Sequence, residues 1–187
     1  MKTLTDHEHI QQVLAGNAHA YAHLVHKYKD LVFTVAIRML KDRQEAEEAS
    51  QDAFVKAYQH LGKFKGESKF STWLYRIVYH NCLDQLKRKK RMISSELIDE
   101  IDQSDINEVE DVMTHLESEE RKQLIHQAIH QLLPQDNAVI TLFYLEEFSI
   151  KEVSEILAIS EGQVKVRLHR SRKKLYSILK DKLQPKT

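Results

Sequence analysis

Apolar residues in this chain recur at three- and four-residue steps from near its start almost to its end, the spacing of helix faces. Few segments alternate with period two, and only four Gly and two Pro are present to build tight turns. The pattern predicts an all-α fold. Thr5 is placed to cap a first helix over 6–15, with Gly16 as its stop. Asn17 is placed to cap the next, which carries Tyr21, Leu24, Val25 and Tyr28. The strongly apolar stretch 31–40 reads as the centre of a first core. A helix over 42–60 follows, with Phe54 and Tyr58 one turn apart. Its small residues Ala46, Ala49, Ala53 and Ala57 leave room for a neighbouring helix to come close.

Gly62 and Gly66 mark a loop, and Ser71 is placed to cap a long helix over 71–86. That helix carries two apolar stripes, one of Trp73, Leu74, Ile77 and Val78, the other of Tyr75, Tyr79, Cys82 and Leu86. Two stripes mean packing on both sides, or one side presented to a ligand. Five consecutive cations, Lys87 to Arg91, end it. Rings that stack on bases beside dense positive charge suit single-stranded nucleic acid. Ordinary core packing is the competing reading for each ring.

In the second half, a helix from Glu117 runs to Leu133, where Pro134 ends it. The segment 135–144 turns Val139, Leu142 and Phe143 inward. Ser149-Ile150-Lys151-Glu152 is a capping box opening a short helix through Leu157. Ser160-Glu161-Gly162-Gln163 looks like another, opening a longer helix to about Lys180. Two helices joined by so short a turn make a helix-turn-helix, whose second helix enters the major groove. On that helix Val164, Leu168 and Leu175 fall inside, and Gln163, Lys165, Val166, His169 and Arg170 fall mostly outside. Gln reads adenine, and Lys or Arg reads guanine or holds phosphate. Arg172, Lys173 and Lys174 suit the backbone, which gives affinity without sequence information.

The formal charge of zero conceals a partition. Residues 1–91 carry +6, residues 92–120 carry −11 with no Lys or Arg, and residues 121–187 carry +5. The expected architecture is therefore two small helical domains, 1–91 and 117–187, joined by an acidic flexible linker over 92–116. Cys82 is the only cysteine, so an intrachain disulfide is excluded and a reducing compartment fits. A signal-like leader and an apolar run of membrane-spanning length are both lacking, which points to the cytoplasm and no membrane insertion. His19, His23 and His26 share a helix face, as do His126 and His130. Without a zinc-protease motif, paired cysteines or a phosphate-cradling loop, these read as surface or packed histidines. No metal, no cofactor and no enzyme is expected. Cys82, on an apolar face, reads as a small core residue.

Three segments together resemble the extracytoplasmic-function (ECF) group of the bacterial sigma-70 family, the promoter-specificity subunits of RNA polymerase. They are Glu45-Ala46-Glu47-Glu48-Ala49-Ser50-Gln51-Asp52-Ala53-Phe54, then Phe70-Ser71-Thr72-Trp73-Leu74-Tyr75-Arg76-Ile77, and the Leu133-Pro134, 148–153 and 162–170 stretches. The likeness covers nearly the whole chain, and the order and spacing of the segments are far more specific than any one of them. It implies bacterial core RNA polymerase and promoter DNA, duplex and single-stranded, as partners, with an anti-sigma factor as a further one. It implies that Glu48, Gln51, Asp52 and Val55 face the polymerase clamp. Lys63, Phe64, Lys65, Lys69, Trp73, Tyr75, Arg76, His80, Asn81, Asp84, Lys87 and Arg88 fall to the minus-ten strand. Gln163, Lys165, Val166, Arg167, His169, Arg170 and Lys173 fall to the minus-thirty-five duplex. The rival reading, a dimeric helix-turn-helix regulator on operator DNA, leaves the 45–54 segment and the aromatic-basic helix without a task.

Overall fold

The computed structural model describes residues 4–92 and 119–183, so the predicted linker lies outside the described residues. Among the described residues there are eight α-helices and no strand. The N-terminal group is α1 (Asp6–Leu14), α2 (Tyr21–Leu40), α3 (Arg43–His60) and α4 (Phe70–Met92). The C-terminal group is α5 (Glu119–Gln131), α6 (Pro134–Ile140), α7 (Ile150–Leu157) and α8 (Glu161–Leu183).

Local chemistry sets most helix ends. Thr5 accepts from the Glu8 backbone N–H while Glu8 reaches back to the Thr5 N–H, a complete capping box. Ser149 and Glu152 repeat it at α7, and Ser160 with Gln163 at α8. Asp42 caps α3 through the Glu45 N–H at 2.9 Å. Lys41, just before it, ends α2 in the left-handed region at φ 60°. Pro134 occupies the first turn of α6, where its missing N–H costs nothing.

Three local expectations are corrected. Asn17 makes no side-chain cap; a 3-10 turn over Ala18–Ala20 feeds straight into α2. Ser71 lies inside α4, which begins at Phe70 with the Trp73 N–H on the Lys69 carbonyl. The Phe70 ring is 3% exposed, so burying it fixes where the helix starts, and a local cap does not. The segment after α6 widens into a π-type turn over Thr141–Leu145 instead of continuing to 144 as α-helix, and Phe143 is only half-buried there.

The alanines of α3 are fully buried and bring it close to its neighbours α2 and α4. Tyr21 on α2 donates to the Phe54 carbonyl on α3 at 2.7 Å. Lys27 and Tyr28 both reach Asp6, pinning α1 onto α2. Cys82 is buried in this core, and burial pushes its thiol up to about 12, as a packing residue requires.

The two groups of helices meet. Helix α4 packs against α2 and α3 on one side and α7 on the other, and α2 also touches α6. Buried residues from both groups form one continuous apolar cluster. The Tyr75 ring is fully buried, edge-on to Phe148 with centroids 5.2 Å apart. Around this contact run polar links. Arg38 donates to Thr141 Oγ1 at 3.3 Å and lies 3.3 Å from His126 Nδ1. Lys41 Nζ donates to the Leu132 carbonyl at 3.2 Å, and Lys69 pairs with Glu152 at 2.9 Å.

Candidate nucleic-acid interface

The outer face of α3 follows from its inner one. With Ala46, Ala49, Ala53 and Ala57 at 0% exposure, the three- and four-residue steps place Glu48, Gln51, Asp52 and Val55 in solvent. Val55 is 54% exposed and Tyr58, one turn on, is 45% exposed. Val55 and Tyr58 are thus an exposed apolar pair flanked by the carboxylates of Glu48 and Asp52. Tyr58 was not among the sequence candidates. Its three-residue step from Val55 was the available signal, and its edge-on contact with Tyr21, centroids 5.0 Å apart, holds the ring in place.

The loop before α4 carries Lys63 and Lys65, both exposed, on either side of a half-buried Phe64. The Phe64 ring sits 5.3 Å from Trp73 and 5.9 Å from Phe70, and Trp73 sits 5.8 Å from Phe70. Phe64 and Trp73 therefore form the partly open rim of a small aromatic nest with Phe70 at its floor. Gly66, at φ +74°, turns the chain beside it, a conformation that costs other residues strain.

Along α4, Arg76, Asp84, Lys87 and Arg88 are exposed and His80 is half-buried among them. Burial lowers the His80 imidazole, and the neighbouring Arg76 lowers it further, which favours the neutral ring. A neutral imidazole both donates and accepts. Asn81 behaves otherwise. Its side chain is 8% exposed, its Nδ2 donates to the Ala49 carbonyl at 3.1 Å, and its Oδ1 accepts from Lys56 at 2.5 Å. It is a strut between α3 and α4, and that burial replaces the expectation that it meets the minus-ten strand. Tyr75, under Phe148, is likewise out of reach of a base in this arrangement.

In the helix-turn-helix, α7 and α8 are joined by Ala158, Ile159 and Ser160, with Ala158 left-handed at φ 55°. Val164, Leu168 and Leu175 are buried as expected. Lys165, Val166 and Arg170 are exposed at the start of α8, and Val166 is 52% exposed. His169 and Lys173 are half-buried. Gln163 is exposed, but its Oε1 accepts from the Ser160 backbone N–H at 2.9 Å. The predicted adenine reader is thus also the cap of its own helix. Arg167 lies near Tyr79 of α4, where its positive charge opposes the rise that burial gives the Tyr79 phenol. The remaining helix-face residues His19, His23 and His26 are exposed, and among the described residues no cluster of three or more ligand-type side chains is arranged to hold a metal.

Comparison with known proteins agrees with this geometry. The sequence family described as Sigma-70 region 2 matches residues 24–92, and Sigma-70, region 4, matches residues 122–175. The chain is 36% identical over 181 residues to the ECF RNA polymerase sigma factor SigW of Bacillus subtilis, covering 92% of this chain and 95% of that one. It is 31% identical over 187 residues to the RNA polymerase sigma-H factor of Pseudomonas aeruginosa, covering 96% of each. In fold it is similar to CnrH, solved in complex with the cytosolic domain of CnrY, with a TM-score of 0.66 at 22% identity over 94% of this chain and 97% of that one. Helices, spacing and full-length likeness together place the chain in the sigma-70 family, as an ECF RNA polymerase sigma factor.

Proposed function

We propose that this chain carries core RNA polymerase to its promoters with its N-terminal helices on the minus-ten strand and α8 on the minus-thirty-five duplex. The observation that carries the reading is the coexistence of three surfaces in one chain. They are the exposed acid-and-apolar face of α3, the open aromatic nest beside Lys63 and Lys65, and the exposed start of α8. Glu48, Gln51, Asp52, Val55 and Tyr58 dock on polymerase. Phe64 and Trp73 receive an extruded base. Arg76, His80, Asp84, Lys87 and Arg88 line the strand's path. Lys165, Val166 and Arg170 read the duplex, and Lys173 holds its backbone.

The energetics suit division of labour. Extruding a base costs a few kcal/mol, and stacking it on a ring returns ~1–3 kcal/mol. One or two captured bases hold an opened strand, provided a duplex contact fixes the register. The bond-making chemistry belongs to polymerase, and the site of action is the cytoplasm. An anti-sigma factor is the natural inhibitor, since a sigma factor of similar fold, RpoE of Bartonella quintana, was solved in complex with the anti-sigma factor NepR. A dimeric operator-binding regulator is not favoured, because it gives the α3 face no partner.

Transcription reconstituted from core polymerase, this chain and a defined promoter tests the reading. Start sites should appear only when the chain is added, and Val55→Glu should remove them along with polymerase binding. Polymerase binding that is indifferent to Val55→Glu would overturn the docking assignment.

A further inference from the structure

We propose that Gln163 reads the minus-thirty-five duplex as a pure donor, selecting guanine and rejecting adenine, because its amide oxygen is already engaged in holding the start of α8. The inference rests on the assignment of α8 to duplex DNA and adds a specificity-determining residue to it. A free glutamine amide reads adenine, giving to N7 and accepting from N6. In this chain the accepting half is occupied.

Gln163 Oε1 accepts from the Ser160 backbone N–H at 2.9 Å and from the Ser160 hydroxyl at 3.2 Å. The Gln163 N–H donates back to Ser160 Oγ at 3.2 Å. An amide oxygen has two lone pairs, and both are in use. What remains is Nε2 with two hydrogens, which among the described residues donates to none. The like box at α7 shows that one side chain can cap with one atom and reach outward with the other. There Glu152 Oε2 accepts from the Ser149 N–H at 2.9 Å and its hydroxyl at 2.8 Å, while Oε1 takes Lys69 Nζ at 2.9 Å. The first turn of α8 is also open. Gln163 is exposed, and a Cβ on Gly162 beside it would meet only Ser160 Oγ, at 3.9 Å. Steps of about 100° per residue set Gln163 nearly in line with Arg170, two turns on. First-turn residues of a recognition helix are the ones that meet base edges.

Base edges sort against a lone donor. Guanine shows two acceptors, O6 and N7, and thymine shows O4 beside a methyl. Adenine shows N7 beside its N6 amine, and cytosine shows the N4 amine. To read adenine through both atoms, Oε1 has to leave Ser160. That loses two accepted bonds and orphans a backbone N–H at a helix start, in exchange for one bond to N6. Guanine is met with the cap intact.

The test uses polymerase holoenzyme reconstituted with the full-length chain and a promoter library randomised in the minus-thirty-five element, with the bound sequences read out. Wild type should enrich guanine over adenine at one position on the order of tenfold, within the range for a side chain reading a base edge. Gln163→Glu keeps the cap, since a glutamate fills the same place in the α7 box, but puts an acceptor where the donor stood. It should exchange guanine for cytosine at that position. Its added negative charge weakens all sequences alike and does not mimic a change of preference at one base pair. Ser160→Pro removes both groups that hold Oε1. The N-caps of the chain's two like boxes have φ of −75° and −63°, the value that proline imposes. The freed amide should then take adenine. Gln163→Glu carries the test should Ser160→Pro not fold. Adenine enriched by wild type at the position that Gln163→Glu alters, or a selected element that Gln163→Glu leaves unchanged, would overturn the proposal. A wild-type holoenzyme that enriches no minus-thirty-five sequence would strike the duplex assignment of α8 itself, and this inference with it.

Discussion

Helices α4 and α8 are each 23 residues long and each carries cations toward its C-terminal half, yet they live in different surroundings. Helix α8 is one-sided: Val164, Leu168, Leu175 and Leu179 are buried and the opposite face of its first turns stands in solvent. Helix α4 is enclosed on two sides, by α2 and α3 and by α7. The same kind of sequence, aromatic or apolar positions interleaved with basic ones, thus gives one helix with an open face and one packed on both sides; in the proposed assignment these are the duplex reader and the strand reader. A helix for duplex DNA is needed before the strands part, and one for single strands only afterwards.

The strongest way to break the comparison is to truncate one residue on each helix. Tyr75→Ala should destabilise the chain by ~3–5 kcal/mol, the range for losing a buried aromatic ring. Val166→Ala should leave stability within about 0.5 kcal/mol. Thermal denaturation of the full chain measures both; equal effects would show that α4 is no more enclosed than α8. On DNA the ranking reverses. Arg170→Ala should weaken duplex binding by ~1–3 kcal/mol and relax base preference if it reads a base edge. If it holds phosphate, the loss should be uniform across sequences, with the salt slope falling by about 1. Titrations against several duplexes at a series of salt concentrations separate the two.

The smallest effect concerns acid. The Lys69 hydrogen bond lowers the Glu152 carboxyl below its usual 4.5, and the Ser149 backbone and hydroxyl add to this. A carboxylate with a lowered folded value stabilises above 4.5 and loses that stability as pH falls through the lowered value. Burial raises Glu146 above 4.5, with Arg38 opposing, so its protonation on acidification acts the other way. Loosening by acid should therefore be shallow, and Lys69→Met should make it shallower still. Fluorescence of labels on the two domains between neutral pH and pH about 3 reads it. With its Lys69 side chain 74% exposed, the pair contributes at most about 1 kcal/mol.

What could be read in advance divides along physical lines. The boxes at Thr5, Ser149 and Ser160 involve residues three apart, so their chemistry is complete within one turn and visible as spacing. The buried alanines of α3 were equally legible, because small residues at helical steps have few other uses. Ser71 was misplaced as a cap because the start of α4 is set by the Phe70 ring meeting Tyr28 and Trp73, contacts that lie far apart or on a face that spacing does not rank. Asn81 was misassigned because its partners, Lys56 and the Ala49 carbonyl, belong to another helix. The second stripe of α4 was legible as a stripe, but nothing in its periodicity named Phe148 as the ring across from Tyr75. The sequence shows which faces want company; it does not say whose.

The alanine seam of α3 has a consequence for how such proteins diversify. Ala46, Ala49, Ala53 and Ala57 are wholly enclosed, so a larger side chain there must push packed neighbours aside, which costs typically about 1–3 kcal/mol. Glu48, Gln51, Asp52 and Val55, pointing the opposite way, carry no such internal restriction. One helix is thereby divided lengthwise into a keel that resists enlargement and a deck free to change, and the fit to whatever partner the deck meets can be retuned without disturbing the hull.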